Sequence, residues 1–429
     1  MTSNDTPATP APSRPLGLWS ATALVVGSMI GSGVFLLPAS LAPYGAASLL
    51  GWGVTLCGAL LLALTFARMA GRWPQTGGPY VYARNVFGEL PGFVVAWSYW
   101  VSIWCANAAI AVAFAGSIGA IFPALTATPL RSAACALGAL WACSAVNLAG
   151  VREAGRMQLL TTVLKFVPLV LFGGIALWFT DAHHYVPFNR SGAPLPQVAN
   201  ATVALTLWAF LGLEAATVPA GSIHDAQRTV PRATVLGTLL AGVATILACT
   251  AVLGLLPGDA LANSQAPMAD AARALWGPAA GIALAVVAAI STFGALNGWV
   301  LISAQVPLAA ATDGLLPARF ARVDARGTPV FGVLASSVLA TLLVFANYSQ
   351  SLVQLFTFSI LLSTAATLLP YVVGSAAWLW RGPARHRVAS ALALAYGLYA
   401  LAGTGGESLL WGSALVLAGV PVYWWNRRR

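Results

Sequence analysis

An all-α, polytopic membrane fold follows from three features of the 429-residue sequence. Hydrophobic residues make up 59% of the chain and charged residues only 7%, where a soluble domain carries about 25% charged residues. Apolar runs long enough to cross a bilayer as helices recur from end to end. The cations fall in the short loops between those runs and crowd into every second loop, the bias that sets membrane orientation. The net charge of +10 belongs to this loop pattern. The expected partners are therefore the lipid bilayer and a small solute, with no nucleic acid.

The runs fall at about 16–41, 46–70, 91–121, 130–150, 157–180, 198–220, 232–256, 277–312, 328–347, 351–379, 386–404 and 408–425. Residues 1–15 are polar and rich in Pro and Thr and read as a disordered tail. The first run is expected to act as its own insertion signal. Twelve spans put both termini on one face. Of the 21 Lys and Arg, seventeen lie on that face and only Arg131, Arg190 and Arg273 on the other. This split predicts cytoplasmic termini. The remaining cation, Lys165, lies inside the fifth run. All five cysteines fall within apolar runs and show no C-x-x-C spacing, so neither a metal site, a cofactor nor a disulfide framework is expected.

The first run is interrupted by Gly27-Ser28-Met29-Ile30-Gly31-Ser32-Gly33-Val34-Phe35, a stretch of poor helix propensity. Backbone groups in hydrocarbon need partners, so a break at membrane depth fits either a bound solute or close packing of small residues. The sixth run carries a second interruption at Phe210-Leu211-Gly212-Leu213-Glu214-Ala215. Breaks five spans apart predict a five-plus-five inverted repeat with the solute at the repeat interface. The first repeat would cover 16–180 and the second 198–379, leaving the helices at 386–425 outside. Free N–H groups after the first break suit a carboxylate, with the hydroxyls of Ser28 and Ser32 beside it. Free carbonyls at the second suit an amine.

Single polar residues at depth are the other candidates. Glu214 is the only carboxylate in the central part of a run. It reads as a proton-titrated gate, or as a structural partner holding the break. Lys165 is a proton carrier or fixed charge, or a side chain snorkelling to the interface. The interface is eight or nine residues off, about 12 Å at the helical rise, which is far for a lysine stem. Trp208 and Trp299 sit beside glycines in mid-run and suit stacking on a cation or aliphatic stem, or plain packing. Asn107 suits either a solute or a neighbouring helix. The loop from Gly71 to Gly88 reads as an interfacial connection anchored by Trp73 and Tyr80. The four histidines lie in loops and take no role.

The runs Gly31-Ser32-Gly33-Val34-Phe35-Leu36-Leu37-Pro38, Gly77-Gly78-Pro79-Tyr80-Val81-Tyr82-Ala83-Arg84, Thr206-Leu207-Trp208-Ala209-Phe210-Leu211-Gly212-Leu213-Glu214-Ala215 and Asp313-Gly314-Leu315-Leu316-Pro317 resemble those of the amino acid–polyamine–organocation (APC) transporters. The resemblance covers nearly the whole chain and is closest to bacterial members that exchange basic amino acids for amines. It implies twelve helices in a LeuT-type fold, a homodimer and a bacterial inner-membrane location. It implies substrate contacts at Ser28, Met29, Ile30, Gly31, Ser32, Ser102, Ile103, Asn107, Ile110, Trp208, Trp299 and Ser363, with Trp208 stacked on an aliphatic stem and Asn107 and Ser363 near its far end. It also implies a gating set of Tyr99, Trp208, Glu214 and Trp299. Ser28, Ser102, Ile103 and Ile110 depart from the basic-substrate pattern. Lys165 resembles instead the fifth-span lysine that replaces sodium in proton-coupled members.

The leading expectation is a sodium-independent exchanger of cationic amino acids and their amines. The alternative is a proton-coupled transporter of neutral amino acids using Lys165. An enzyme would need a catalytic constellation; the sequence has no H-E-x-x-H or G-x-S-x-G motif and no histidine at depth. A channel would need a charged or carbonyl-lined continuous pore.

Overall fold

The first apolar run folds as two helices, α1 (Leu18–Met29) and α2 (Gly33–Leu41). Between them Ile30 is extended, at φ −79° and ψ 94°. The structure, a computed structural model, describes residues 17–73, 78–149, 151–217, 223–325 and 327–428, with the side chains of 151–163 outside the described set. The expected tail at 1–15, the loop tip at 74–77 and the end of the sixth run (218–220) lie outside the described residues.

Helix α3 (Ser48–Arg72) follows a short 3₁₀ turn. Helices α4 (Pro79–Phe87), α5 (Glu89–Ile121), α6 (Pro129–Ala149) and α7 (Val151–Ala176) come next. After an irregular crossing come α8 (Leu195–Leu207) and α9 (Ala226–Leu255). Two short helices, α10 (Gly258–Asn263) and α11 (Pro267–Trp276), lead into α12 (Pro278–Thr312). The chain ends with α13 (Val330–Ala346), α14 (Leu352–Arg381), α15 (Arg387–Gly403), α16 (Gly406–Leu417) and α17 (Gly419–Arg427). Proline opens α4, α11 and α12, where its missing N–H and fixed φ are no loss. Helix α14 opens on a capping box: the Ser351 hydroxyl accepts from the Gln354 backbone N–H at 3.2 Å, and the Gln354 side-chain Oε1 accepts from the Ser351 backbone N–H at 3.1 Å.

Among the described residues, seven helical stretches are long and apolar enough to cross a membrane, and α13 and the end of α7 are shorter apolar helices. Three elements were not expected. The connection 71–90 holds α4, and 256–277 holds α10 and α11. These helices are short and two-faced: in α11, Met268, Ala269, Ala271 and Ala272 are buried while Asp270 and Arg273 pair at its surface. A search for membrane-length apolar runs passes over such patterns. The fifth helix begins at Val151 rather than 157, and the last run is split into α16 and α17 at Ala418.

Helix α5 lies at the centre, against α12 and α14, and 23 of its residues are buried. That burial explains its even, unfaced apolarity. Buried hydroxyls join the helices. Thr55 of α3 meets Thr206 of α8 at 2.7 Å, and Ser98 of α5 donates to the Ala366 carbonyl of α14 at 2.7 Å. Asn147 of α6 donates to Asn297 of α12 at 3.0 Å. Such bonds remove the cost of polar groups kept from water.

Candidate solute-binding site

Helix α8 stops as the first run does. A 3₁₀ turn over Trp208–Phe210 passes into extended Leu211, and Gly212 takes φ +100°. A second short turn, Ala215–Thr217, resumes the path. The two breaks touch: a Cβ on Gly212 would stand 3.0 Å from the Cβ of Ser28 and 3.2 Å from its carbonyl carbon. Only glycine combines that φ with that approach.

A narrow, nearly closed cavity of about 20 Å³ lies where the breaks meet. Of the twelve residues expected to contact substrate, Ser28, Met29, Gly31, Ser32, Ser102, Ile103, Ile110, Trp208, Trp299 and Ser363 line it. Ile30 and Asn107 do not. Ile30 is wholly buried in the extended link. Asn107 is buried on α5, and neither Nδ2 nor Oδ1 has a partner among the described residues. Gly33, Ala106, Leu211 and Thr367 also line the cavity and were not anticipated.

The walls are built from helix faces. Along α5, Tyr99, Ser102, Ile103, Ala106 and Ile110 recur at helical spacing, and Ser363, Thr367 and Tyr371 do so along α14. Ser363 Oγ donates to the Ser102 carbonyl at 2.7 Å and fixes one wall to the other. Trp208 Nε1 donates to Ser32 Oγ at 3.3 Å across the two breaks, and its ring meets Phe356 edge-on at 6.5 Å.

The cap residue Ser32 makes no side-chain capping bond, so the first N–H groups of α2 start uncapped at the cavity wall. They form a site for negative charge. At the other break, among the described residues, the Ala209 and Leu211 carbonyls accept no backbone hydrogen bond. No carboxylate lines the cavity.

Glu214 is wholly buried just past Gly212. Tyr99 of α5 donates to its Oε1 and Tyr371 of α14 to its Oε2, each at 2.6 Å. One carboxylate thus ties three elements together at the side of the cavity where α5 begins and α14 ends. Tyr371 was missed in the sequence, although its place eight residues after Ser363 puts it on the same face. Lys165 is also wholly buried, and its Nζ donates to the Gly27 carbonyl oxygen. In an unbroken helix that carbonyl would accept from the N–H four residues on, at Gly31. The break frees it and the ammonium takes it, so Lys165 does not snorkel to the interface. Among the described residues, no group of His, Cys, Asp and Glu could hold a metal.

Interrupted helices meeting around a buried cavity within an apolar bundle define a membrane transporter of solutes. The chain belongs to the amino acid permease family, whose profile matches residues 16–373. It is 31% identical over 425 residues to the putrescine transporter PotE of Escherichia coli (strain K12), covering 96% of both chains. It is 34% identical over 391 residues to a protein provisionally named an arginine/ornithine antiporter in Bacillus subtilis (strain 168), covering 84% of this chain and 82% of that one. It is 32% identical over 332 residues to the cadaverine/lysine antiporter of E. coli (strain K12), covering 77% of this chain and 74% of the relative.

Proposed function

We propose that this permease is a sodium-independent exchanger of cationic amino acids and their decarboxylated amines. The observation that carries the reading is the contact between the two breaks, with Ser28, Gly31, Ser32, Trp208 and Leu211 lining one cavity. An α-carboxylate fits the uncapped start of α2, and an ammonium fits the free carbonyls of Ala209 and Leu211. The aliphatic stem lies against the rings of Trp208 and Trp299. Its cationic end reaches Ser102, Ser363 and the unpaired amide of Asn107. Without a carboxylate in the wall, that end is held by ring faces and dipoles. The three relatives are named for basic amino acids or diamines, which supports the same class here.

In this reading the helices form twelve spans. Those from α1 to α7 make one repeat and those from α8 to α14 its inverted copy. Helices α15 to α17 flank the repeats and form a homodimer contact. The protein sits in a bacterial inner membrane with both termini cytoplasmic, an orientation that the bias of the loop charges supports. Glu214 closes the path through Tyr99 and Tyr371 and opens it on changing protonation. A second reading, proton-coupled transport of neutral amino acids, draws on one observation: the Lys165 ammonium holds the carbonyl freed at the first break, a position suited to a cation that drives transport.

Proteoliposomes separate the two. Exchange predicts uptake of radiolabelled arginine, ornithine or putrescine only when one of these is inside, with no response to sodium. Uptake into empty vesicles driven by a proton gradient, with neutral amino acids preferred, would overturn it.

A further inference from the structure

A second and larger cavity, of about 620 Å³, lies above the first. Helices α2 and α14 line both. On α2 the lining moves from Gly33 to Ser40, on α14 from Ser363 to Thr357, and on the third wall from Trp208 in the turn after α8 to Leu205 on α8. Each step is one or two helical turns, about 5–10 Å, toward the end where α2 finishes and α14 begins. There the Ser40 and Thr357 hydroxyls hydrogen-bond at 2.7 Å and join α2 to α14. The second cavity is therefore the vestibule on the face opposite the termini.

One charged side chain lines it, Glu407 in the first turn of α16. The other described carboxylates on that face are engaged. Asp259 pairs with Arg190 at 2.6 Å, Asp270 with Arg273 at 2.8 Å, and Asp181 bonds His183 at 2.8 Å. Glu407 is exposed and, among the described residues, has neither a hydrogen bond nor an ion pair. An uncompensated anion at the mouth of a cavity with low-dielectric walls focuses its field down the opening and raises the local concentration of cations. The rings of Tyr44 and Phe358 line the same space and offer faces to a cation below it.

We infer that Glu407 forms an outer recruitment site for cationic substrates, a carboxylate that binds the ammonium or guanidinium end before the solute passes the Ser40–Thr357 contact. This rests on the exchanger reading above. The site acts from one face only, and more strongly on a diamine than on a monocation.

The test is arginine and putrescine exchange in oriented proteoliposomes, measured from each face at low and high ionic strength. The wild type should show an outer KM that rises with salt. Glu407→Gln should raise the outer KM at low salt by about three- to tenfold, more for putrescine, and remove its salt dependence while leaving the inner KM alone. Glu407→Asp should restore most of the wild-type value. An outer KM unchanged in Glu407→Gln, or equal shifts on both faces, would overturn the inference while leaving the exchanger intact. A lower melting temperature with no KM change would mean that the carboxylate serves only the helix start, which also overturns it. A wild type that moves neither cation would bring down both readings.

Discussion

At the scale of single residues, two buried ionisable side chains, Glu214 and Lys165, are each tied to a break. Glu214 accepts from two phenols at 2.6 Å. In the proposed gate, a proton on the carboxylate turns one of its oxygens into a donor, so one phenol must accept where it donated, and the tie of α5 or α14 to the second break weakens. Glu214→Gln is isosteric and cannot change charge, so, if Glu214 is the gate proposed above, it should flatten the pH dependence of transport while keeping the fold. An unchanged profile in reconstituted vesicles would remove it as the acid-sensitive element. Lys165 holds the carbonyl that the first break frees. Lys165→Ala leaves that carbonyl buried and unpaired, at about 1–3 kcal/mol. It should slow exchange severely and lower the melting temperature. Wild-type turnover in that variant would show that the ammonium is dispensable.

At the scale of elements, the breaks depend on backbone conformations that other residues disfavour. Gly212 combines φ +100° with contact on Ser28. Gly212→Ala adds strain of about 1–3 kcal/mol and pushes the breaks apart. Exchange should fall well below wild type in protein that still reaches the membrane. Near the end of α17, where Asn426 donates to the Gly314 carbonyl, Tyr80 of α4 donates to Asp313 Oδ2 at 2.6 Å, and Arg84 pairs with the same oxygen at 2.7 Å. This cluster joins the turn-rich loop after α3 to the end of α12. Asp313→Asn removes the charge that Arg84 faces, and limited proteolysis should then cut the 78–90 connection faster. The sequence marked the 71–90 loop as turn-rich and the Asp313–Pro317 run as part of the family resemblance but showed no pairing, because the partners are more than 200 residues apart.

Over the whole molecule, the long apolar helices and both breaks could be read from composition and glycine placement, because a bilayer makes each such departure costly. Ten of the twelve residues expected at the substrate line the cavity. The exceptions have physical causes. Ile30 belongs to the link between half-helices rather than to either face, and Asn107 sits just outside the wall with its amide unpaired. Helices α10 and α11 were not legible, since short two-faced helices lack the membrane-length run that marks a span. Nor was Tyr371, because the apolar residues around it on α14 hide one polar face among many. The vestibule and its lone carboxylate depend on how distant loops meet.

The solute cavity at the meeting of the breaks is tested most directly by calorimetric titration of the purified permease with arginine and with putrescine, in wild type and in Trp208→Leu. A ring face replaced by a smaller side chain should weaken binding by about 1–2 kcal/mol, roughly tenfold, in protein that still folds, though with a melting temperature lowered by the lost Phe356 contact and Ser32 bond. Identical affinities in the two proteins would place the substrate somewhere other than between α2 and α8.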